Sequence, residues 1–199
     1  MRAWIRSLPV LGVVVIAAGL FGCQAPKKNL TVPLVYRPGS AVSGRAALTT
    51  SPGLKLYVEV VDERPDKSKI GENVEEEQPR PIYGGAEPAD FVRGAVSREL
   101  PGVGLAVVGD KSIANRTLTL HLIRFYCVES SVYDADVRAN AAVSAGDKQL
   151  WTGLVAGAKR NFGRSLSAVN YQESFSDATV EMVSQLVNAP DFQKSVTVP

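Results

Sequence analysis

The chain has 199 residues, 45% of them hydrophobic and 21% charged, with 22 Lys and Arg against 20 Asp and Glu. That composition builds one ordinary globular domain with appendages. It excludes a disordered chain, a collagen-like repeat and a strongly basic nucleic-acid binder. Two cysteines and a single histidine exclude a disulfide framework and any Cys/His zinc cluster, and no cofactor is implied.

The first segment carries the sharpest signal. Arg2 and Arg6 precede an apolar run from Leu8 to Phe21, broken by Pro9, Gly12 and Gly19. The run is shorter than the roughly 20 residues a bilayer-spanning helix needs, so residues 1–22 read as a secretion signal. Leu20-Phe21-Gly22-Cys23 has the order of a bacterial lipobox. Cleavage between Gly22 and Cys23 needs a small residue before the bond, and the thioether to diacylglycerol needs a sulfur after it. The expectation is a palmitate-type lipoprotein held on a membrane by a lipid on Cys23. Gln24 in place of an aspartate points to the outer membrane, with the domain facing the periplasm. Cleavage would leave a formally neutral chain with 20 basic and 20 acidic groups.

Residues 23–53 hold Pro26, Pro33, Pro38 and Pro52 among small and hydroxyl residues, and read as a flexible tether with a reach of about 100 Å. Within it, Asn29 to Tyr36 is apolar enough to add an edge strand, since Pro33 forbids a central one. The tether carries Lys27, Lys28, Arg37 and Arg45 and no acid, whereas residues 55–199 hold 16 basic and 20 acidic groups. Its charge suits either attraction to anionic headgroups or simple solubility.

From Leu54 the pattern becomes regular, and residues 54–192 read as a single α+β domain, with 193–199 a tail. Leu54 to Val61 alternates as a half-buried strand, residues 62–85 as a charged loop, and Pro88 opens a helix that buries Phe91, Val92, Ala95, Val96 and Leu100. Strands follow at 104–108, at 117–128 and at 133–145. Leu118, Leu120 and Leu122 share one face of the second, and Ala135, Val137, Ala139, Ala141 and Val143 point inward in the third. Gly146-Asp147 turns the chain into a hairpin partner at 149–162. A last helix spans 175–188, with Ser174 as its cap, Phe175, Ala178, Met182 and Leu186 as its buried stripe, and Pro190 as its stop. The order β-α-β-β-β-β-α predicts a two-layer sandwich, a mostly antiparallel sheet with two helices on one face.

Lipobox, tether, the run Val58-Glu59-Val60-Val61-Asp62-Glu63-Arg64, Ile70-Gly71 and the closing hairpin and helix line up together. On these residues the chain resembles the YajG-type outer-membrane lipoproteins over most of 20–192. It is less closely similar to the auxiliary lipoproteins of ABC-type lipid transporters. Neither resemblance implies catalytic residues.

The residues themselves offer little chemistry. His121 stands mid-strand beside Thr119, with no Gly-x-Ser-x-Gly elbow in the chain. Glu72 with Glu75-Glu76-Glu77 lacks the spacing that turns oxygens toward calcium. Asp62 and Arg64 read as a local ion pair that pins a loop, and Cys127 as a buried, inert thiol. Phe125, Tyr126, Tyr133 and Trp151 cluster near strand ends, where rings serve either a binding surface or the core. The expected partner surface is Tyr126, Tyr133 and Trp151, engaging an envelope protein or lipid without catalysis. An accessory subunit of a lipid transporter and a hydrolase with an unrecognised site are the other readings.

Overall fold

The structure, a computed structural model, describes residues 29–39, 48, 53–163 and 165–197. The expected signal segment 1–22, the expected cleavage site Gly22–Cys23 and Cys23 itself lie outside the described residues. In chain order the strands are β1 (Leu30–Val32), β2 (Leu56–Asp62), β3 (Gly71–Asn73), β4 (Arg80–Gly84), β5 (Val107–Val108), β6 (Arg116–Glu129), β7 (Val132–Ala145) and β8 (Lys148–Phe162). The helices are α1 (Pro88–Glu99), α2 (Ala168–Asn188) and α3 (Pro190–Thr197).

The sheet is mixed, not mostly antiparallel, and it curls into a half-barrel instead of lying flat in a two-layer sandwich. β6 is its spine. On one side β6 pairs antiparallel with β7, and β7 with β8, in two long ladders. On the other side two separate strands run parallel to it, β2 opposite Arg116–Leu122 and β3 opposite Cys127–Glu129. The α1 crossover makes this parallel pairing possible, because parallel neighbours cannot be joined by a tight turn. Part of the expected charged loop 62–85 is therefore strand: β3 and β4 form a hairpin around the acidic turn.

A register shift between Leu122 and Arg124 inserts one extra residue into β6. Before it, even-numbered residues (Leu118, Leu120, Leu122) are buried. After it, odd-numbered ones (Phe125, Cys127, Glu129) are. Such a bulge swaps the faces of a strand whose side chains alternate. The partner β7 keeps one parity throughout, burying Tyr133, Ala135, Val137, Ala139, Ala141 and Val143. At the far end Gly146 takes φ +55°, the left-handed conformation that a glycine-first, two-residue hairpin turn uses.

α2 begins six residues before the expected cap at Ser174, which is buried inside the helix and accepts a hydrogen bond from Asn161 Nδ2 (3.1 Å). Its hydroxyls explain how so polar a helix is buried. Ser176, Thr179 and Ser184 each donate to the carbonyl four residues back, at 2.7, 2.8 and 2.9 Å. None of these three hydroxyls is then left without an acceptor. The helix backbone lies directly on Gly157 of β8, where a Cβ would come within 1.9 Å of the Ala178 carbonyl oxygen. Pro190 ends α2 as expected but also opens α3, because a proline at the first helical position loses no hydrogen bond. The expected tail is thus mostly helix, with Phe192 and Val196 in the core.

Residues 29–39 are not free tether. β1 pairs parallel with β4 at the sheet edge, with Pro33 just beyond it. Val32 and Leu34 are buried, and the Arg37 and Gly39 amides donate to Ser176 Oγ (2.9 Å) and Asp177 Oδ1 (2.8 Å) of α2. Tyr36 packs edge-on against Phe91 of α1, Phe91 against Phe125 of β6, and Phe125 stacks on Phe175 of α2 at 4.1 Å. A chain beginning at residue 40 should therefore be less stable than one beginning at residue 29, by about 3 kcal/mol for the two buried aliphatic side chains alone. Urea titration of both forms measures it; equal midpoints would contradict the packing described.

Candidate functional site

Between β2 and β3 the chain leaves the sheet at residues 63–70, opposite the β6 bulge, and returns when the Cys127 amide donates to the Ile70 carbonyl (3.0 Å). Arg64 organises this excursion. Its guanidinium donates to both Asp62 oxygens (Nε to Oδ1 3.0 Å, a terminal nitrogen to Oδ2 2.9 Å) and to the Lys69 carbonyl (3.2 Å), while it is itself buried. Burial works against ionisation of Asp62, yet the Arg64 hydrogen bonds outweigh it and hold the carboxyl below its ordinary range. The expected local ion pair is present and pins the loop.

The excursion leaves a cleft of about 280 Å³ whose walls include Arg64, Asp66, Lys69, Ile123, Arg124 and Tyr126. The Tyr126 ring lies between two cations, with Lys69 Nζ 5.5 Å and Arg124 Cζ 5.4 Å from its centroid. Each cation also has a carboxylate: Lys69 binds Glu72 at 3.0 Å, and Arg124 binds Asp136 at 2.6 Å. The hydrogen bond to Tyr126, then that to Glu72, pushes the Lys69 ammonium up from its ordinary value, so it is charged at any physiological pH. With its charges paired, the cleft offers directed hydrogen bonds and an ordered ring more than net charge.

Trp151, on the helix-facing side of β8, packs edge-on against Phe192 of α3 at 5.5 Å. It opens onto a second cleft of about 480 Å³ shared with Arg116, Lys148, Leu150 and Lys194. Tyr133 does not belong to any surface. It is 0% exposed, its ring meets Tyr171 at 4.9 Å, and its hydroxyl accepts the Ser167 amide (3.2 Å). The odd-numbered face that buries Ala135 and Val137 buries Tyr133 too, which removes it from the expected partner surface. The three aromatic positions thus go to three different places.

Sequence reasoning missed Glu129. At the end of β6 it is 0% exposed, and its Oε1 accepts the amides of Ser165 (3.1 Å) and Leu166 (2.8 Å). Leu166 is held at φ +45°, a conformation a branched side chain adopts only when its surroundings impose it. Burial disfavours the charge, but Asn73, the Leu166 amide, Tyr133 and Tyr171 together hold the carboxyl below its ordinary value. Its other oxygen and the Tyr171 hydroxyl lack a well-formed hydrogen bond. The only sequence signal was parity: after a bulge at Ile123, an odd-numbered residue must face inward. Burial and then Glu129 push the Cys127 thiol up, which makes it inert.

His121 lies on the solvated face of β6, its Nδ1 2.7 Å from Glu63 Oε1. In the acidic turn Glu76 pairs with Arg80 at 3.2 Å. Among the described residues no group of three or more His, Cys, Asp or Glu side chains is placed to hold a metal ion, and no helix is long and apolar enough to cross a membrane.

No family model matches the chain, and no curated protein does either. Solved structures do match. The crystal structure of protein XCC0632 from Xanthomonas campestris, of family DUF330, is similar with a TM-score of 0.56 at 12% identity, over 82% of this chain and 96% of that one. An uncharacterised protein is similar with a TM-score of 0.48 at 7% identity, over 78% and 95%. A Caulobacter crescentus protein provisionally described as a lipoprotein follows with a TM-score of 0.41 at 9% identity, over 63% and 81%. At these identities the likeness to the DUF330 protein shows the fold alone.

Glu129 gives this site a pH signature. A carboxyl held below its unfolded pKa contributes stability above that value, about 4.3, and loses the contribution as pH falls through the folded value. Glu129→Gln should cost about 2 kcal/mol at pH 7 and flatten the stability loss below about pH 4. Urea titrations of both proteins from neutral to acidic pH test this; parallel pH profiles would contradict it.

Proposed function

We propose that this protein is a non-catalytic binding domain of a bacterial envelope, anchored by a lipid on Cys23 to the outer membrane and facing the periplasm. The cleft at the interrupted sheet engages its partner, an envelope protein or lipid. The observation that carries this reading is the Tyr126 ring held between Lys69 and Arg124 where β2 and β3 part. An aromatic anchor with locked neighbours in a concave wall is the arrangement that concentrates binding energy. His121, by contrast, pairs with Glu63 on an exposed face, with both side chains well solvated.

The anchor is checked on the intact protein. Mass spectrometry of the mature N-terminus should find a diacylglyceryl cysteine at position 23, and Cys23→Ala should release the chain from membranes. A Cys23→Ala protein that stays with the membrane fraction contradicts the anchor.

For the cleft, Tyr126→Ala should weaken partner binding by roughly tenfold or more. His121→Ala should leave binding unchanged. In-cell photo-crosslinking from position 66 on the cleft wall, with and without these substitutions, reports it alongside complementation of a deletion strain. Loss of complementation by a folded His121→Ala protein, with Tyr126→Ala normal, favours catalysis over binding.

A further inference from the structure

The register across the sheet fixes which end of the domain meets the chain from Cys23. Leu30, Ile82, Gly71, Cys127, Ala135 and Lys159 stand in one row from β1 to β8. β1 and β4 run opposite to β3 and β6, so the chain before Leu30 leaves at the end where β6 and β8 finish and α2 begins. At that end Phe162 closes β8, three residues past the row and about 10 Å farther along the strand.

Phe162 is 94% exposed, the most exposed large hydrophobic side chain among the described residues, and Val169 at the start of α2 is 56% exposed. A Cβ on Gly163 would lie 3.0 Å from Asn170 Nδ2, so the residues after Phe162 and after Val169 adjoin and the two apolar residues stand at the same end of the domain. Lys159 stands three residues back along the strand, and Arg160 pairs with Asp134 at 2.8 Å. A bare ring at a strand end, with polar and charged groups behind it, suits the boundary between lipid headgroups and acyl chains.

Only six residues lie between Cys23 and Leu30, seven steps with a reach of about 24 Å when fully extended. That is far less than the span of the whole tether segment, because residues 29–39 are packed on the domain. The sheet from β1 to β8 is about 24 Å along its surface, and shorter across its curl. The opposite end, at the Gly146-Asp147 turn, lies about 45 Å away along β8. A lipid on Cys23 therefore keeps the Phe162 end at the bilayer and the Trp151 cleft away from it.

We infer that the end of the domain exposing Phe162 and Val169 is a bilayer-contacting tip, seated in the headgroup region of the membrane that holds the Cys23 lipid. The inference rests on the anchored reading above. The Glu75–Glu77 turn is at the same end but carries the charge that anionic headgroups repel, so the domain tilts onto its β8 corner.

The test uses the full-length acylated protein in vesicles of phosphatidylethanolamine with a smaller share of phosphatidylglycerol. An environment-sensitive dye is placed on Phe162→Cys or Val169→Cys, with Glu76→Cys and Asp147→Cys as references; Cys127 is buried. Dyes at 162 and 169 should shift to the blue and be quenched by spin-labelled lipid at least severalfold more than dyes at 76 and 147. Quenching at 147 equal to that at 162 overturns the inference. So does an aqueous 162 dye on a protein that floats with the vesicles, which leaves the anchor standing. A chain without lipid on Cys23 overturns both readings.

Discussion

One extra residue in β6 decides what the domain contains and what it shows. Without the bulge at Ile123, the strand would carry Leu118, Leu120 and Leu122 inward and continue with Arg124 and Tyr126. With it, Phe125 enters the core between Phe91 and Phe175, Tyr126 turns out into a cleft, and Glu129 is buried at the strand end. The same irregularity stands opposite the gap between β2 and β3. The core's aromatic ladder and the candidate binding site are two faces of one event.

The second constraint is the seat of α2. A helix can fill a curled sheet only if its backbone comes close and its polar groups need no outside partner. Gly157 provides the close approach, and hydroxyls bonding back along the helix provide the second condition. Glu129 then closes the junction between β8 and α2 by gathering two amides of the connecting turn. That clasp ties the start of α2 to the strand ends, so a buried carboxylate shapes the end of the domain where Phe162 and Val169 are exposed.

Packing of residues 29–39 changes how the proposed anchor would work. A long tether would let the domain search a wide shell of the periplasm in any orientation. With the proposed lipid on Cys23, six intervening residues would hold one end of the sheet near the bilayer, and the cleft around Tyr126 would lie on a wall of the half-barrel at a defined height. Recognition by a fixed, short-tethered surface gains from preorganisation, because little orientational freedom remains to be lost on binding.

The sequence by itself determined the elements whose side chains obey one period from end to end. β7 with its inward alanines and valines, the Gly146-Asp147 turn, α1 from Pro88 and the buried stripe of α2 were all legible, because local pattern and tertiary burial agree there. So was the Asp62–Arg64 pair, which is local in sequence. What only the tertiary structure decided are features made by distant contacts. The mixed sheet depends on β2 and β3 sharing one margin of β6, which no local period encodes. Tyr133 reads as an amphipathic strand-end ring, but Tyr171, 38 positions on, buries it. Glu129 looks like an ordinary polar strand end until amides from the turn before α2 converge on it. Pro190 reads as a stop, yet Phe192 and Val196 find an apolar surface to cover and continue as helix. Period is a property of neighbours in sequence, whereas burial of a charge or a ring is settled by residues that arrive from elsewhere in the chain.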